Sequence, residues 1–153
     1  MSRDEVYMRL ALEEAVKALP TGDVPIGAIA VRNGAIIGRG CNRREADGDP
    51  TAHAEMIAIR QAAQVMGEWR LAEVTLYCTL EPCCMCAGAM VLARLPRLVY
   101  AAIDPRAGCA GSVVDVLRNP RLNHRVDVDV GLMADEAAAL LDDFFKSLRE
   151  NGE

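Results

Sequence analysis

The chain has 153 residues, of which 52% are apolar, 25% are charged and only 4% are aromatic. This length predicts one domain, residues 1–153, that buries a sizeable core and needs no disulfide bridges to hold it. No stretch approaches the ~20 apolar residues of a membrane span and the polar N-terminus lacks a signal-peptide pattern, so we expect a cytoplasmic protein that does not enter membranes.

Charge is spread unevenly along the chain. The formal net charge of −5 argues against indiscriminate binding to polyanions, although a local basic patch can suffice for nucleic acid. From Arg94 to Arg125 the sequence holds six arginines against only Asp104 and Asp115. This stretch is either a basic surface for nucleic acid or an ordinary solvated face, and charge alone leaves both interpretations open.

The first predicted elements are a helix and a hairpin. Apolar residues at helical spacing predict a helix that ends at Pro20 to Gly22. Two apolar runs, 24–31 and 35–38, flank Asn33-Gly34, the strongest short signal for a β-hairpin. These runs therefore predict two antiparallel strands.

The rest of the chain alternates between helix and strand patterns. In order, it predicts a loop at 42–49, a helix at 52–66, a strand at 74–78, a helix at 82–93 that is buried on most sides, a strand at 98–103, a short helix at 112–117, a strand at 126–130 and a helix at 134–148. Strands alternating with helices after an initial hairpin predict an α/β domain on a mixed sheet of about five strands.

Two short clusters carry the chemistry. His53-Ala54-Glu55 opens one predicted helix, and Pro82-Cys83-Cys84-Met85-Cys86 opens another. Each is weak alone, but in this order they match H-x-E…P-C-x-x-C, the signature of zinc deaminases of nucleobases. We therefore predict one Zn²⁺ per chain.

The zinc ligands are predicted to be His53, Cys83 and Cys86. Residues three apart on a helix face the same way, so the two cysteines can grip one ion, and three protein ligands leave a fourth position for water. Cys84 is turned about 100° away and is expected in the core. The six cysteines are otherwise interpreted as metal ligands, redox groups or buried apolar residues, since no export signal accompanies them.

Glu55 is the predicted catalytic residue. It lies beside the metal without binding it, so it can take a proton from the zinc-activated water, pass it to a ring nitrogen and protonate the departing ammonia. Residues two apart converge only at a helix end, so this role requires the helix to begin between Ala52 and Ala54. A purely structural zinc and a redox role for the Cys83–Cys86 pair remain as alternatives.

The sequence also resembles the bacterial tRNA-specific adenosine deaminases, from about residue 5 to 145. The resemblance rests on these segments: Val24-Pro25-Ile26-Gly27-Ala28, Asn42, Asp49-Pro50-Thr51-Ala52-His53-Ala54-Glu55, Thr79-Leu80-Glu81-Pro82-Cys83, Met85-Cys86-Ala87-Gly88-Ala89-Met90, Gly111-Ser112 with Asp115-Val116-Leu117, and Asn123-His124-Arg125. It implies a three-layer cytidine-deaminase-like fold with helices on both faces of the sheet, a homodimer, and conversion of adenosine to inosine at the wobble position of a tRNA anticodon stem-loop.

The resemblance also implies a set of substrate-binding residues. They are Asn42, which matches the residue that contacts the flipped nucleotide, together with Ala54, Asp104, Asn123 and Phe145. From the residues alone, Asn42, Asp104 and Asn123 are more typical of turns, and Phe145 is more typical of a core. The chain departs from the family at Pro105-Arg106-Ala107-Gly108 and at its acidic C-terminal end.

Two other functions share parts of this pattern. A deaminase of a free base or nucleoside, such as guanine or cytosine, has the same zinc site. A non-catalytic subunit that keeps zinc only for folding is the second alternative, and it has no need of Glu55 next to an open metal position.

Overall fold

A five-stranded mixed sheet forms the centre of the computed structural model, which describes residues 1–152. The elements in chain order are α1 (Arg3–Val16), a 3₁₀ turn (Leu19–Thr21), β1 (Gly27–Arg32), β2 (Ala35–Cys41), α2 (Arg44–Asp47), α3 (Ala54–Met66), β3 (Val74–Leu80), α4 (Cys84–Leu92), β4 (Arg97–Ala102), β5 (Asp127–Val130) and α5 (Ala134–Glu150). The strand order is β2-β1-β3-β4-β5.

Strand direction brings four chain segments to one edge of the sheet. β1 pairs antiparallel with β2 and β3, whereas β3, β4 and β5 run parallel. Gly27 at the start of β1 lies opposite Cys41 at the end of β2, and Leu80 at the end of β3 lies opposite Ala102 at the end of β4. Ligands of open α/β sheets bind outside the carboxyl ends of such strands.

The sheet separates two cores. Ile29, Tyr77 and Val99 face the side of Met8 and Ala11 from α1, with Ala137 of α5 also on that side. The alternate residues of the same strands face α3 and α4: Ala28, Ala30, Leu76, Cys78, Leu98 and Tyr100. Successive side chains of a strand point to opposite faces, so one sequence supplies both cores. The predicted three-layer α/β fold with five strands is confirmed.

The hairpin prediction is confirmed as well. Asn33 and Gly34 both have positive φ, 51° and 78°, at the turn between β1 and β2. The predicted loop at 42–49 contains the one-turn helix α2. No helix among residues 1–152 has the length and apolar character needed to cross a membrane.

Two expectations about the segment after β3 are wrong. The predicted helix at 112–117 is an irregular loop in which Ala110 and Asp115 form an isolated β-bridge. α4, by contrast, is buried on most sides as predicted: only Cys84 and Leu92 of this helix are exposed. Cys84 is exposed and forms a disulfide with Cys109, where burial without a bridge was expected.

Candidate active site

The beginning of α3 carries two of the predicted site residues. His53 caps the helix with extended backbone angles (φ −85°, ψ 150°), and Glu55 lies in the first helical turn. Both side chains leave the helix at its end, so they can reach the same space although they are two residues apart. The predicted start of this helix between Ala52 and Ala54 is therefore confirmed.

Two glycines of β2 let α3 lie close against the sheet. A Cβ atom at Gly40 would come within 2.3 Å of the backbone oxygen of Ala54, and one at Gly38 within 2.3 Å of that of Ala58. Any larger residue would push the helix off the sheet. These two positions thus set where the start of α3, and with it His53, stands at the sheet edge.

The second half of the signature opens α4. Cys83 caps this helix with extended backbone (φ −73°, ψ 176°), and Cys86 lies buried in its first turn. β3 ends at Leu80, so only Glu81 and Pro82 separate the strand from the first cysteine. The carboxyl end of β3 therefore delivers both thiols to the edge at which α3 begins.

His53, Cys83 and Cys86 meet as predicted. Nδ1 of His53 lies 3.5 Å from Sγ of Cys83 and 3.5 Å from Sγ of Cys86. The three donor atoms all lie within 4.8 Å of one another, so they can hold one metal ion. Within residues 1–152 no fourth protein ligand joins them. His124, the other histidine, instead has its Nε2 atom 2.7 Å from the backbone oxygen of Leu95.

The three donors favour a thiolate at neutral pH. The hydrogen bond between Cys86 and Cys83, followed by that with His53, lowers the pKa of Cys83 to about 4. The same bond, together with burial, raises the pKa of Cys86. The pKa of His53 is raised chiefly by its hydrogen bond with Cys83. A thiolate is the form in which cysteine binds metals.

Glu55 lies outside this set of donors and is only 4% exposed. Burial raises the pKa of its carboxyl group to about 7, and Cys86 is among its hydrogen-bonding partners. A carboxyl group with a pKa near 7 can both take up and release a proton at neutral pH, as a general acid–base catalyst must. The structure therefore places a carboxyl group that titrates near neutral pH beside the three donors.

A cavity of about 860 Å³ opens at this edge of the sheet and contains His53, Glu55 and Cys83 in its wall. Its size lies within the range of sites that enclose small ligands. Four of the five predicted substrate-binding residues line it: Asn42, Ala54, Asp104 and Phe145. Residues of α5, including Phe145, form the wall opposite the sheet edge.

The side chains of Asn42 and Asp104 also shape their own loops. Asn42 is 7% exposed, its Nδ2 donates to the backbone oxygen of Val24 (3.3 Å), and its Oδ1 accepts the N–H of Arg44 (3.1 Å). Asp104 accepts two backbone N–H groups of its own loop through Oδ1. Both residues therefore act as turn formers in addition to lining the cavity.

Asn123 is the predicted substrate-binding residue that does not line the cavity of its own chain. It is exposed, and its neighbour His124 contacts the backbone of Leu95. Leu95 comes just before β4, so this contact lies at the end of the strands opposite to the cavity. A role for Asn123 in RNA binding stays a prediction.

The arginine-rich stretch does not form one continuous basic face. Arg97 forms ion pairs with Asp4 and Asp129, and Arg118 forms one with the aspartate three residues before it. Arg106 lines the cavity. The solvated-face interpretation therefore holds for Arg97 and Arg118, and the RNA interpretation stays a prediction for the other arginines of the stretch.

Sequence reasoning missed two buried carboxylates beside the site, Asp23 (1% exposed) and Glu81 (2% exposed). Burial raises the pKa of each, but hydrogen bonds outweigh it and hold both pKa values below their ordinary level. The sequence signal that could have identified Glu81 is its place directly before Pro82, which begins the P-C-x-x-C part of the signature. Nothing local marks Asp23, because its backbone partners, Glu45 and Ala46, lie more than 20 residues away.

The fold and the site together define a nucleobase-type deaminase, and the comparisons agree. A family model described as MafB19-like deaminase matches residues 2–149. The tRNA-specific adenosine deaminase of Bacillus subtilis (strain 168) is 47% identical over 150 residues, covering 98% of this chain and 93% of that protein. That of Aquifex aeolicus (strain VF5) is 44% identical, covering 96% and 97%. The chain belongs to the tRNA-specific adenosine deaminase family.

Solved structures support the same grouping. A tRNA:A34 deaminase studied for A-to-I editing at the wobble position of transfer RNA superposes with a TM-score of 0.85 at 45% identity, covering 89% of this chain and 99% of that one. A guanine deaminase from Nitrosomonas europaea is more distant, with a TM-score of 0.77 at 26% identity and coverage of 94% and 85%. The fold is therefore shared with free-base deaminases, while sequence identity is higher to the tRNA enzyme.

Proposed function

We propose that this protein hydrolyses adenosine to inosine, with release of ammonia, at the wobble position of a tRNA anticodon. The observation that carries the proposal is the meeting of His53, Cys83 and Cys86 with buried Glu55 at one cavity. The identity of 44–47% to proteins named tRNA-specific adenosine deaminases supports the substrate. A tRNA substrate also implies that the protein works in the cytoplasm.

Zinc fits the three donors. Zn–N distances near 2.05 Å and Zn–S distances near 2.3 Å in tetrahedral geometry require an N···S separation of about 3.6 Å. The two N···S distances are 3.5 Å. We propose one Zn²⁺ per chain, held by His53 Nδ1, Cys83 Sγ and Cys86 Sγ. When bound, the ion acts as a Lewis acid that makes a water molecule nucleophilic at neutral pH.

Glu55 moves the protons of the reaction. Its carboxylate takes the proton of the attacking water, delivers it to N1 of the adenine ring, and then passes the second water proton to the 6-amino group as that group leaves as ammonia. A carboxyl group with a pKa of about 7 suits both directions of transfer. A purely structural metal site has no use for such a group, which argues against a non-catalytic subunit.

The remaining cavity residues suit a flipped nucleotide. Asn42 and the backbone at Ala54 offer polar atoms near the donors, whereas Phe145, 42% exposed, offers an aromatic surface for stacking. We propose that Asn42, Ala54 and Phe145 contact the base or its neighbours. For Asp104 and Asn123, we propose that the loops containing them contact the RNA, without a direct contact from the two side chains.

Three arginines support a polynucleotide substrate over a free base. Arg44, Arg106 and Arg149 line the cavity and are exposed, and none forms an ion pair with a carboxylate of residues 1–152. Arginines in this position can bind phosphates of the strand on either side of the reacting nucleotide. A free purine has no phosphate group for these arginines to bind.

We also propose a homodimer. Val65 and Leu92 are 66% and 71% exposed at the C-terminal ends of α3 and α4; Trp69, 55% exposed, follows α3, and its ring lies 5.9 Å from the guanidinium of Arg94, just after α4. Large apolar side chains grouped in this way favour an interface, and a second copy of this chain is the proposed partner. Light scattering should give a mass of about twice 16.5 kDa. A monomeric mass at micromolar concentration contradicts the dimer.

The substrate is tested by offering zinc-loaded protein an anticodon stem-loop with adenosine at the wobble position and, separately, free adenosine, guanine and cytosine. Mass spectrometry should detect inosine in the RNA and little or no product from the free compounds. Turnover of guanine or cytosine without turnover of the RNA would overturn the proposed substrate and favour a free-base deaminase.

A further inference from the structure

Two loops form opposite sides of the cavity, and each is attached to a buried carboxylate. The first, the 42–47 loop, contains Asn42 and α2 with Arg44. The second, the 104–112 loop, contributes residues 104–107 to the cavity wall. Asp23 accepts hydrogen bonds from the first loop, and Glu81 accepts hydrogen bonds from the second.

Glu81 accepts four hydrogen bonds from the 104–112 loop. Its Oε1 accepts the backbone N–H of Asp104 (2.9 Å) and the hydroxyl of Ser112. Its Oε2 accepts the backbone N–H groups of Ala110 (3.0 Å) and Ser112 (3.0 Å). These donors lie at both ends of the loop. The Glu81 carboxylate therefore fixes the position of the start of the loop, just after β4, and the position of its end.

The loop is closely fitted around this carboxylate. A Cβ atom at Gly108 would lie 2.3 Å from Cδ of Glu81 and 2.5 Å from the backbone oxygen of Asp104, so no side chain can occur at that position without moving the loop. The N–H of Cys109 also donates to the backbone oxygen of Pro82 (2.8 Å). The 104–112 loop is thus joined directly to the segment that carries Cys83.

Asp23 plays the corresponding part for the 42–47 loop. Its Oδ1 accepts the backbone N–H of Glu45 (2.6 Å), and its Oδ2 accepts that of Ala46 (3.1 Å) and the hydroxyl of Thr21 (2.6 Å). α2 has no buried residue. Since no apolar packing holds this turn, hydrogen bonds set its position. The N–H of Arg44 donates to Oδ1 of Asn42 (3.1 Å), and the N–H of Arg43 donates to the backbone oxygen of Ala52 (2.9 Å). Asp23 accepts the N–H groups of Glu45 and Ala46 from outside the turn.

We infer that Asp23 and Glu81 are positioning residues for substrate binding, each holding one side of the cavity in place for the RNA. Neither needs to touch the reacting atoms. Losing either carboxylate should leave the metal donors and Glu55 in place, because those groups stand on α3 and α4, but should displace the loops that contact the substrate. The inference rests on the proposed function for its kinetic test only.

The test compares Asp23→Asn and Glu81→Gln with Glu14→Gln. Glu14 is also a buried carboxylate (6% exposed), but its partners are Lys17 (2.7 Å) and Arg39 (3.7 Å) and it does not line the cavity. An amide at position 23 or 81 has only one accepting oxygen, so it cannot accept all the hydrogen bonds that the carboxylate accepts. We expect KM for the stem-loop to rise about tenfold or more in both test variants, while kcat changes less than about threefold and zinc content stays at that of the unaltered protein.

Amide hydrogen exchange supplies a readout that needs no substrate. Asp23→Asn should speed exchange at residues 44–47, Glu81→Gln should speed it at 104–112, and Glu14→Gln should do neither. If the RNA is not a substrate at all, the proposed function fails while this exchange pattern still decides the role of the two carboxylates. Thr21→Val and Ser112→Ala remove one hydrogen bond each and serve as milder variants if the amides do not fold.

Three results would overturn the inference. The first is a KM and an exchange pattern like those of the unaltered protein in both test variants. The second is an equal rise of KM in Glu14→Gln, which would mark a general loss of stability. The third is a fall in kcat accompanied by loss of zinc, which would assign the carboxylates to the metal site instead.

Discussion

Nδ1 of His53 lies 3.5 Å from Sγ of Cys83, although 30 residues separate them in the chain. The contact exists because α3 begins at the edge where β3 ends, and each residue caps its own helix. Positive helix ends directed toward one point favour thiolates there. Site formation therefore depends on the sheet topology and on where two helices start.

The ligand set predicts a sharp contrast between neighbouring cysteines. Cys86→Ala removes one of three donors, so zinc bound per chain, measured by elemental analysis after gel filtration, should fall from about one to near zero. Cys84→Ala should keep about one zinc, since Cys84 faces Cys109 and not the donors. Equal zinc loss in the two variants would contradict the assignment.

The Cys84–Cys109 disulfide predicts a stability that depends on reduction. It closes a loop with a sequence separation of 25, for which chain entropy gives about 3.5 kcal/mol, or roughly 7–14 °C in Tm for a chain of this size. Calorimetry with and without a thiol reductant should show this difference. Cys84→Ser should melt at the reduced value in both conditions, and a Tm insensitive to reductant would argue against the bridge.

Asp4 predicts a pH-dependent contribution to stability. The hydrogen bond from Arg97 (Nη2 to Oδ2, 2.8 Å), aided by that from the Tyr77 hydroxyl (2.6 Å), outweighs burial and lowers the pKa of Asp4 below 3.8. A lowered pKa stabilises the fold above about pH 4, and this stabilisation is lost as the pH falls through the folded-state value.

Asp4→Asn should therefore lower Tm at pH 7, and this effect should shrink progressively as the pH falls from about 4 toward 2. Thermal melts of the two proteins across that range check the expectation. Asp135→Asn is a suitable control, because that exposed carboxylate has no ion-pair partner among residues 1–152. A constant difference in Tm at all pH values would contradict a role for the charge of Asp4.

Local signals in the sequence were enough for the fold and the donors. Asn33-Gly34 has no good conformation other than a tight turn between its flanking apolar runs, so the hairpin could be predicted. The start of α3 followed from chemistry, because His53 and Glu55 can converge only at a helix end. Such features depend on residues that are close in sequence.

Features set by distant partners were missed. Ser112 was predicted to begin a helix, but its N–H and hydroxyl bond to Glu81, which draws residues 110–115 into an irregular loop. Cys84 was expected in the core because it is turned away from the two ligand cysteines, and no spacing rule identifies Cys109 as its partner. Asp23 was overlooked for the same reason, since its two backbone partners, Glu45 and Ala46, come from another part of the chain.

The central claim, that Glu55 carries the protons of adenosine deamination, is tested most directly by replacing it with its amide. Mass spectrometry of inosine formed in the anticodon stem-loop should give a rate for Glu55→Gln lower than that of the unaltered protein by about 10²–10⁴-fold, with zinc content unchanged. A rate equal to that of the unaltered protein, at the same zinc content, would contradict the account.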